Sequence, residues 1–252
     1  RRQRQMCIRD RPTTIAAYSA VQAAQKISGK GLPVTLLVGM SATRLPLWLT
    51  LLQPYDMIIY SGHGTKNSWV GNDPVFRLIR EDNADWLQGR IAVGVPVCLS
   101  ASILGKLAVR KGAVSFFGSK DLMWAAFTEH EHNYMQDFID CWQTIPLSLA
   151  DGATTGEALR EYREKCTSYI DTYRSMEGKW SLADWYADAL EKNRDYYTLL
   201  GRTDATLEET EKIRKNSPNP LQAAAALAAV GLLSAASITA TLTLLKEKLK
   251  TL

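Results

Sequence analysis

Histidine is scarce in this chain: only His63, His130 and His132 occur in 252 residues. Cysteine is nearly as rare, with Cys7, Cys98, Cys141 and Cys166. Their spacing fits neither a CxxC metal knuckle nor a disulfide framework. His130 and His132 stand two apart in a helical pattern, so they point to different faces and do not share a metal. No metal and no cofactor is expected. A chain of this length needs no disulfides to hold a core, so the cysteines are read as mostly reduced and the compartment as intracellular.

A strong charge bias is missing too. Thirty basic residues against 26 acidic ones leave a formal net charge of +4. The basic residues are spread out, apart from Arg1, Arg2, Arg4, Arg9 and Arg11, so no nucleic-acid partner is expected. Hydrophobic residues at 46% and charged ones at 22% exclude a disordered chain. No repeat of solenoid period occurs. No signal peptide is expected: the basic start leads into the alanine-rich, helix-like stretch 15–24, not a continuous apolar run with a cleavage site.

Short apolar runs alternate with helical periodicity. Residues 13–28 read as a helix, ended by Gly29-Lys30-Gly31. Residues 33–38 (PVTLLV) read as a buried parallel strand, 45–52 as a helix, and 55–60 (YDMIIY) as a second buried strand. A hairpin or loop over 65–76 and a helix over 77–88 follow. Residues 90–97 (RIAVGVPV) make a third strand, 101–110 a helix, and 113–117 a fourth strand. Helices are then expected over 128–146, 154–174 and 181–199, the middle one capped by Thr154 or Thr155 with Glu157 in its first turn. This alternation implies an α/β fold of three layers, a mainly parallel sheet covered on both faces. The C-terminal strand ends then share one edge, where open α/β sheets bind ligands.

Two motifs fall at that edge. One strand stops at Ser61-Gly62-His63-Gly64 and another at Cys98-Leu99-Ser100-Ala101. A thiol is a poor nucleophile until it loses its proton, and an adjacent imidazole favours the thiolate. Neighbouring strands lie about 4.8 Å apart, so side chains leaving their ends can meet across a substrate. Gly62 and Gly64 have no Cβ and allow a close backbone approach. The amides of Gly64 and Cys98 stand at loop positions where they can donate to a developing oxyanion. Cys98 is therefore the candidate nucleophile, His63 the general base, and Gly64 with Cys98 the oxyanion hole. Cys141 and Cys166 lie in helical patterns and read as core or surface thiols.

These residues resemble the caspase-like (clan CD) cysteine peptidases, in the gingipain and CHAT-domain branch. The resemblance extends over about residues 31–207 and includes Lys111-Gly112-Ala113 with the strand VSFFGS. It also includes the helix start Gly152-Ala153-Thr154-Thr155-Gly156-Glu157-Ala158-Leu159 and a closing strand or turn Tyr196-Tyr197-Thr198-Leu199-Leu200-Gly201. Arg202-Thr203 stand where the branch usually has Asp-Pro. The caspase Gln-Ala-Cys-x-Gly signature is absent, since Pro96-Val97 precede Cys98. The resemblance implies a cysteine endopeptidase with a Cys-His dyad acting on a polypeptide substrate. The runner-up that it accommodates is a catalytically inactive caspase-like domain, a structural or assembly subunit of an oligomer or larger complex, a membrane complex included. Asp121 and Trp124, in the loop after the strand that follows Cys98, are the candidate substrate-binding residues.

The expected organisation is a basic, helical N-terminal segment over 1–30, a caspase-like α/β domain over 31–210, a linker over 211–220 and a hydrophobic helix over 221–252. Residues 221–245 carry no charge for 25 positions, enough for a helix of about 37 Å that would anchor the protein to a membrane. Pro218-Asn219-Pro220 separates that helix from the domain. A chain ending at Ser217 is therefore expected to stay soluble and folded, while the full chain needs detergent. Sedimentation with and without detergent checks both, and a full-length chain that stays monomeric without detergent refutes the anchor.

Overall fold

A computed structural model describes residues 12–38, 41–71, 77–125, 132–176, 178 and 182–216. Among them, a four-stranded sheet is built from β1 (Met57–Tyr60), β4 (Ile91–Gly94), β5 (Ser115–Ser119) and β6 (Tyr197–Gly201), in the order β1-β4-β5-β6. β1, β4 and β5 run parallel, and β6 is antiparallel to β5. The sheet is thus mostly parallel, within a mixed α/β fold. Two further strands, β2 (His63–Thr65) and β3 (Ser68–Val70), form a separate antiparallel hairpin.

The pleat of the strands separates two cores. Ile91, Val93 and Phe117 share a cluster with Phe138 and Trp142 of α4 (His132–Ala150), Tyr162 and Cys166 of α5 (Thr155–Arg174), and Tyr186 of α6 (Ala183–Tyr196). Ala92 and Phe116, pointing the other way, pack with Leu47 and Leu51 of α2 (Arg44–Leu51), with Leu104 and Ala108 of α3 (Leu104–Arg110), and with Trp69 of the hairpin. Burial on both faces is why these strands read as continuous apolar runs. Pro46 sits in the first turn of α2, where a missing N–H costs no helical hydrogen bond. α5 starts on a capping box in which Thr154 Oγ accepts from Glu157 N–H at 3.2 Å and Thr154 N–H donates to Glu157 Oε2 at 2.8 Å. Of the two threonines open in the sequence, Thr154 is the cap.

Several expectations are corrected. Residues 33–38 form no strand: Val34, Leu36 and Val38 are 37%, 44% and 44% exposed. A cavity of about 650 Å³ is lined by this segment, α1 (Pro12–Gly29) and β1, and among the described residues no ladder hydrogen bonds join the segment to the sheet. Residues 77–88 are not a helix. Ile79 bridges to Trp69, and Asn83 folds its side chain onto Leu78 O (2.9 Å) and Arg80 N–H (2.7 Å). Such local side-chain bonds compete with a helix, and only the 3-10 turn Ala84–Leu87 follows. The helix expected over 181–199 stops at Tyr196, because 197–201 pair with β5 and Tyr197, fully buried, donates to Gly94 O at 3.0 Å. The part of the linker at 211–216 is helical, within α7 (Leu207–Asn216), whose Arg214 pairs with Asp56 at 2.9 Å. α1 packs on α4 rather than standing apart, with Lys26 Nζ donating to Gln143 Oε1 at 2.7 Å.

At the N-terminal ends of the strands, Arg90 is 1% exposed. Its guanidinium donates to the carbonyls of Leu51 (2.8 Å), Tyr55 (3.1 Å), Trp86 (3.1 Å) and Gln88 (3.2 Å). Burial, with the nearby Arg214, pushes it down to about 10, so it stays charged at neutral pH. It ties α2, the approach to β1 and the 3-10 turn together. Arg90→Met strands those carbonyls without a donor and is expected to cost about 3 kcal/mol or more. A fall in the urea midpoint measures it.

Candidate functional site

The register of the sheet sets the site. Tyr60, the last residue of β1, is opposite Gly94, the last of β4, so the chains that follow both strands emerge side by side. The Tyr60 ring stacks on Trp69 (centroids 5.0 Å apart), and Trp69 stacks on Phe116 (5.5 Å). Burial raises the Tyr60 pKa, keeping its hydroxyl protonated and a donor. That hydroxyl bonds to the carbonyls of His63 and Val70, the two ends of the β2–β3 hairpin. Gly62 has φ +154° and a Cβ there would lie 2.9 Å from the Tyr60 hydroxyl, so glycine is needed for the chain to turn back over this ring.

The hairpin then docks on the Cys98 loop. A Cβ on Gly64 would lie 2.5 Å from Cys98 O and 2.3 Å from Val97 Cγ1. The two backbones are therefore in contact, a distance only glycine permits. At the hairpin turn, Lys66 O accepts from Ile103 N–H (3.0 Å) and Leu104 N–H (2.9 Å), where α3 begins. His63 and Cys98 are both half-buried, at the ends of adjacent parallel segments. Desolvation lowers the His63 pKa below its ordinary value, which favours the neutral imidazole and hence a proton acceptor. Trp69 N–H donates to Ile79 O and Trp69 O accepts from Leu78 N–H, so the register partner of Gly64 directs its peptide groups elsewhere.

The Cys98 loop is stitched to the end of β5. Leu99 takes φ +60°, a left-handed conformation that strains a residue with a Cβ. It starts a turn instead of the helix expected from 101, and α3 begins only at Leu104. Leu99 N–H donates to Asp121 O at 3.0 Å, Ala101 N–H to Ser119 O at 3.0 Å, and Met123 N–H to Cys98 Sγ at 3.4 Å. The Asp121 carboxylate is exposed and accepts from Leu122 N–H at 2.8 Å. Trp124 packs against the core on one side, and the Lys192 ammonium stands 4.3 Å from its ring centroid on the other. The cavity beside β1 reaches Ser61, Gly62 and His63 and gives the site an apolar flank.

Cys141 and Cys166 lie elsewhere, buried between α4 and α5, where burial raises the Cys141 thiol. Tyr60, Leu99, Met123 and Asn193, which holds Trp124, are absent from the site residues read from the sequence. Tyr60 alone carries a signal, an aromatic closing an apolar strand just before Ser61-Gly62-His63-Gly64. No family model, no curated protein and no solved structure matches the chain.

Gly64→Ala drives a Cβ into the Cys98 carbonyl and is expected to cost about 1–3 kcal/mol, as overpacking does. It should also slow Cys98 alkylation by separating the two loops. Thermal melting together with iodoacetamide mass mapping checks both effects, and an unchanged alkylation rate would show that the contact does not matter.

Proposed function

We propose that the chain is a cysteine endopeptidase of caspase-like type, with Cys98 as nucleophile and His63 as base. The observation that carries this reading is the seating of Gly64 on the Cys98 backbone, which supports a functional pairing of the two motifs. In the proposed reaction Cys98 Sγ attacks a peptide carbonyl carbon while His63 takes the thiol proton. The carbonyl oxygen becomes an oxyanion that accepts from the Gly64 and Cys98 amides. The C–N bond then breaks as His63 returns the proton to the leaving amine. Water, deprotonated by His63, hydrolyses the thioester and releases the acid and the free thiol. Asp121 and Trp124 flank the substrate in this reading; the exposed Asp121 carboxylate suits a basic side chain before the cleaved bond.

The other reading is an inactive caspase-like subunit that assembles into a larger complex. The partial exposure of both Cys98 and His63 favours the enzyme, since a nucleophile and its base must be within reach of a substrate. Among the described residues no helix is long and apolar enough to cross a membrane. The expected anchor over 221–245 lies outside the described residues, as do His130 and the turn at Asn72-Asp73-Pro74. The anchor belongs to the proposal on its uncharged sequence alone.

A peptidyl acyloxymethyl ketone is expected to label Cys98 and none of the other cysteines. His63→Ala should slow labelling roughly 100-fold or more, the usual contribution of a positioned base. Because the His63 pKa is lowered, turnover should persist as pH falls through the ordinary histidine value of about 6.5 and be lost only below it. Absence of Cys98 labelling across that range would leave the assembly-subunit reading.

A further inference from the structure

Beyond the dyad, the Met123 amide is aimed at the candidate nucleophile. Met123 N–H donates to Cys98 Sγ at 3.4 Å. An N–H donor stabilises a thiolate more than a thiol, because the charged form is the stronger acceptor. Met123 lies in 122–125, a stretch without helix or strand, so something outside the segment must hold that amide in place.

On one side the stretch is pinned by Asp121, whose carbonyl accepts from Leu99 N–H (3.0 Å) and from Ser119 Oγ (2.7 Å). On the other side, among the described residues, the clamp is a side chain. Asn193, near the end of α6 and 1% exposed, grips the Trp124 backbone twice. Trp124 N–H donates to Asn193 Oδ1 at 2.7 Å, and Asn193 Nδ2 donates to Trp124 O at 2.6 Å. A carboxamide offers one acceptor and two donors, so this pairing also fixes which way the side chain is turned. Asn193 thus replaces, for one residue, the neighbouring strand that the segment lacks.

We propose that Asn193 is a positioning residue for Cys98: by clamping Trp124 it holds the adjacent Met123 N–H on Cys98 Sγ and so favours the thiolate. Its purpose rests on the peptidase reading, but its effect on the thiol does not. Among the described residues, the charged and titratable groups on the elements beside the segment include His63 on β2, Lys120 and Asp121 in the loop, and Lys192 on α6, over the Trp124 ring. A substitution at Asn193 alters none of them.

The test is the pH dependence of iodoacetamide alkylation at Cys98, read by mass mapping in the full chain. Asn193→Leu, similar in shape and uncharged, removes both bonds without opening a large cavity. The alkylation midpoint is expected to rise by about one pH unit, or roughly tenfold less thiolate at neutral pH. A role in packing alone would lower the melting temperature and leave the midpoint in place. Cys141 and Cys166, buried in the core, report on folding in the same experiment by remaining slow to react. Should Asn193→Leu expose them, Met123→Pro deletes the donor itself and should raise the midpoint likewise. An unmoved midpoint in whichever variant is folded overturns the assignment. A wild-type midpoint at the ordinary thiol value of about 8.5 instead counts against the peptidase reading. An upward shift from that value in Asn193→Leu would still support the Asn193 role.

Discussion

The backbone contact between Gly64 and Cys98 is the constraint on which the site depends. Two chain segments that leave adjacent parallel strands would diverge unless something held them together. Here a residue without a Cβ lets the peptide groups touch, and the hairpin turn adds two hydrogen bonds from the start of α3 to Lys66 O. The Tyr60–Trp69–Phe116 stack supports the hairpin from below and joins it to the sheet. A rigid sheet edge thus carries two loops whose mutual geometry is set by packing, as a preorganised site requires.

The two ends of the sheet divide the work. At the N-terminal ends, Arg90 and the Arg214–Asp56 pair close the structure with charge-assisted bonds to backbone carbonyls and carboxylate. At the C-terminal ends, polar groups are half-buried and the backbone at Leu99 is left-handed. Strain is tolerated there because Leu99 N–H, Ala101 N–H and Met123 N–H all find acceptors in neighbouring segments. Charge-assisted bonds thus lie at one edge and the candidate site at the other, the edge where open α/β sheets bind ligands.

Legibility followed the range of the interactions. The strands that precede His63 and Cys98 could be read because each is a run of apolar residues, and a run buried on both faces is a local signal. Thr154 and Glu157 could be read because a capping box is complete within four residues. Residues 33–38 have the same apolar composition as the true strands, yet remain outside the sheet, because composition cannot say whether a partner edge is within reach. Residues 77–88 lost their helix to Asn83 and to the bridge with Trp69. Tyr197 continued a helical pattern and became a strand through pairing with β5.

By itself, the sequence determined the mostly parallel α/β class and the buried strands after which the His63 and Cys98 segments come, since burial on both faces is written in neighbouring residues. Only the tertiary structure decided which strands pair, that β6 runs antiparallel, that Gly64 rests on the Cys98 backbone, and that Asn193 holds the loop whose amide reaches Cys98 Sγ. Those contacts join residues dozens of positions apart, 69 between Trp124 and Asn193. No local pattern encodes such a pair; it exists only once α6 has packed against the sheet.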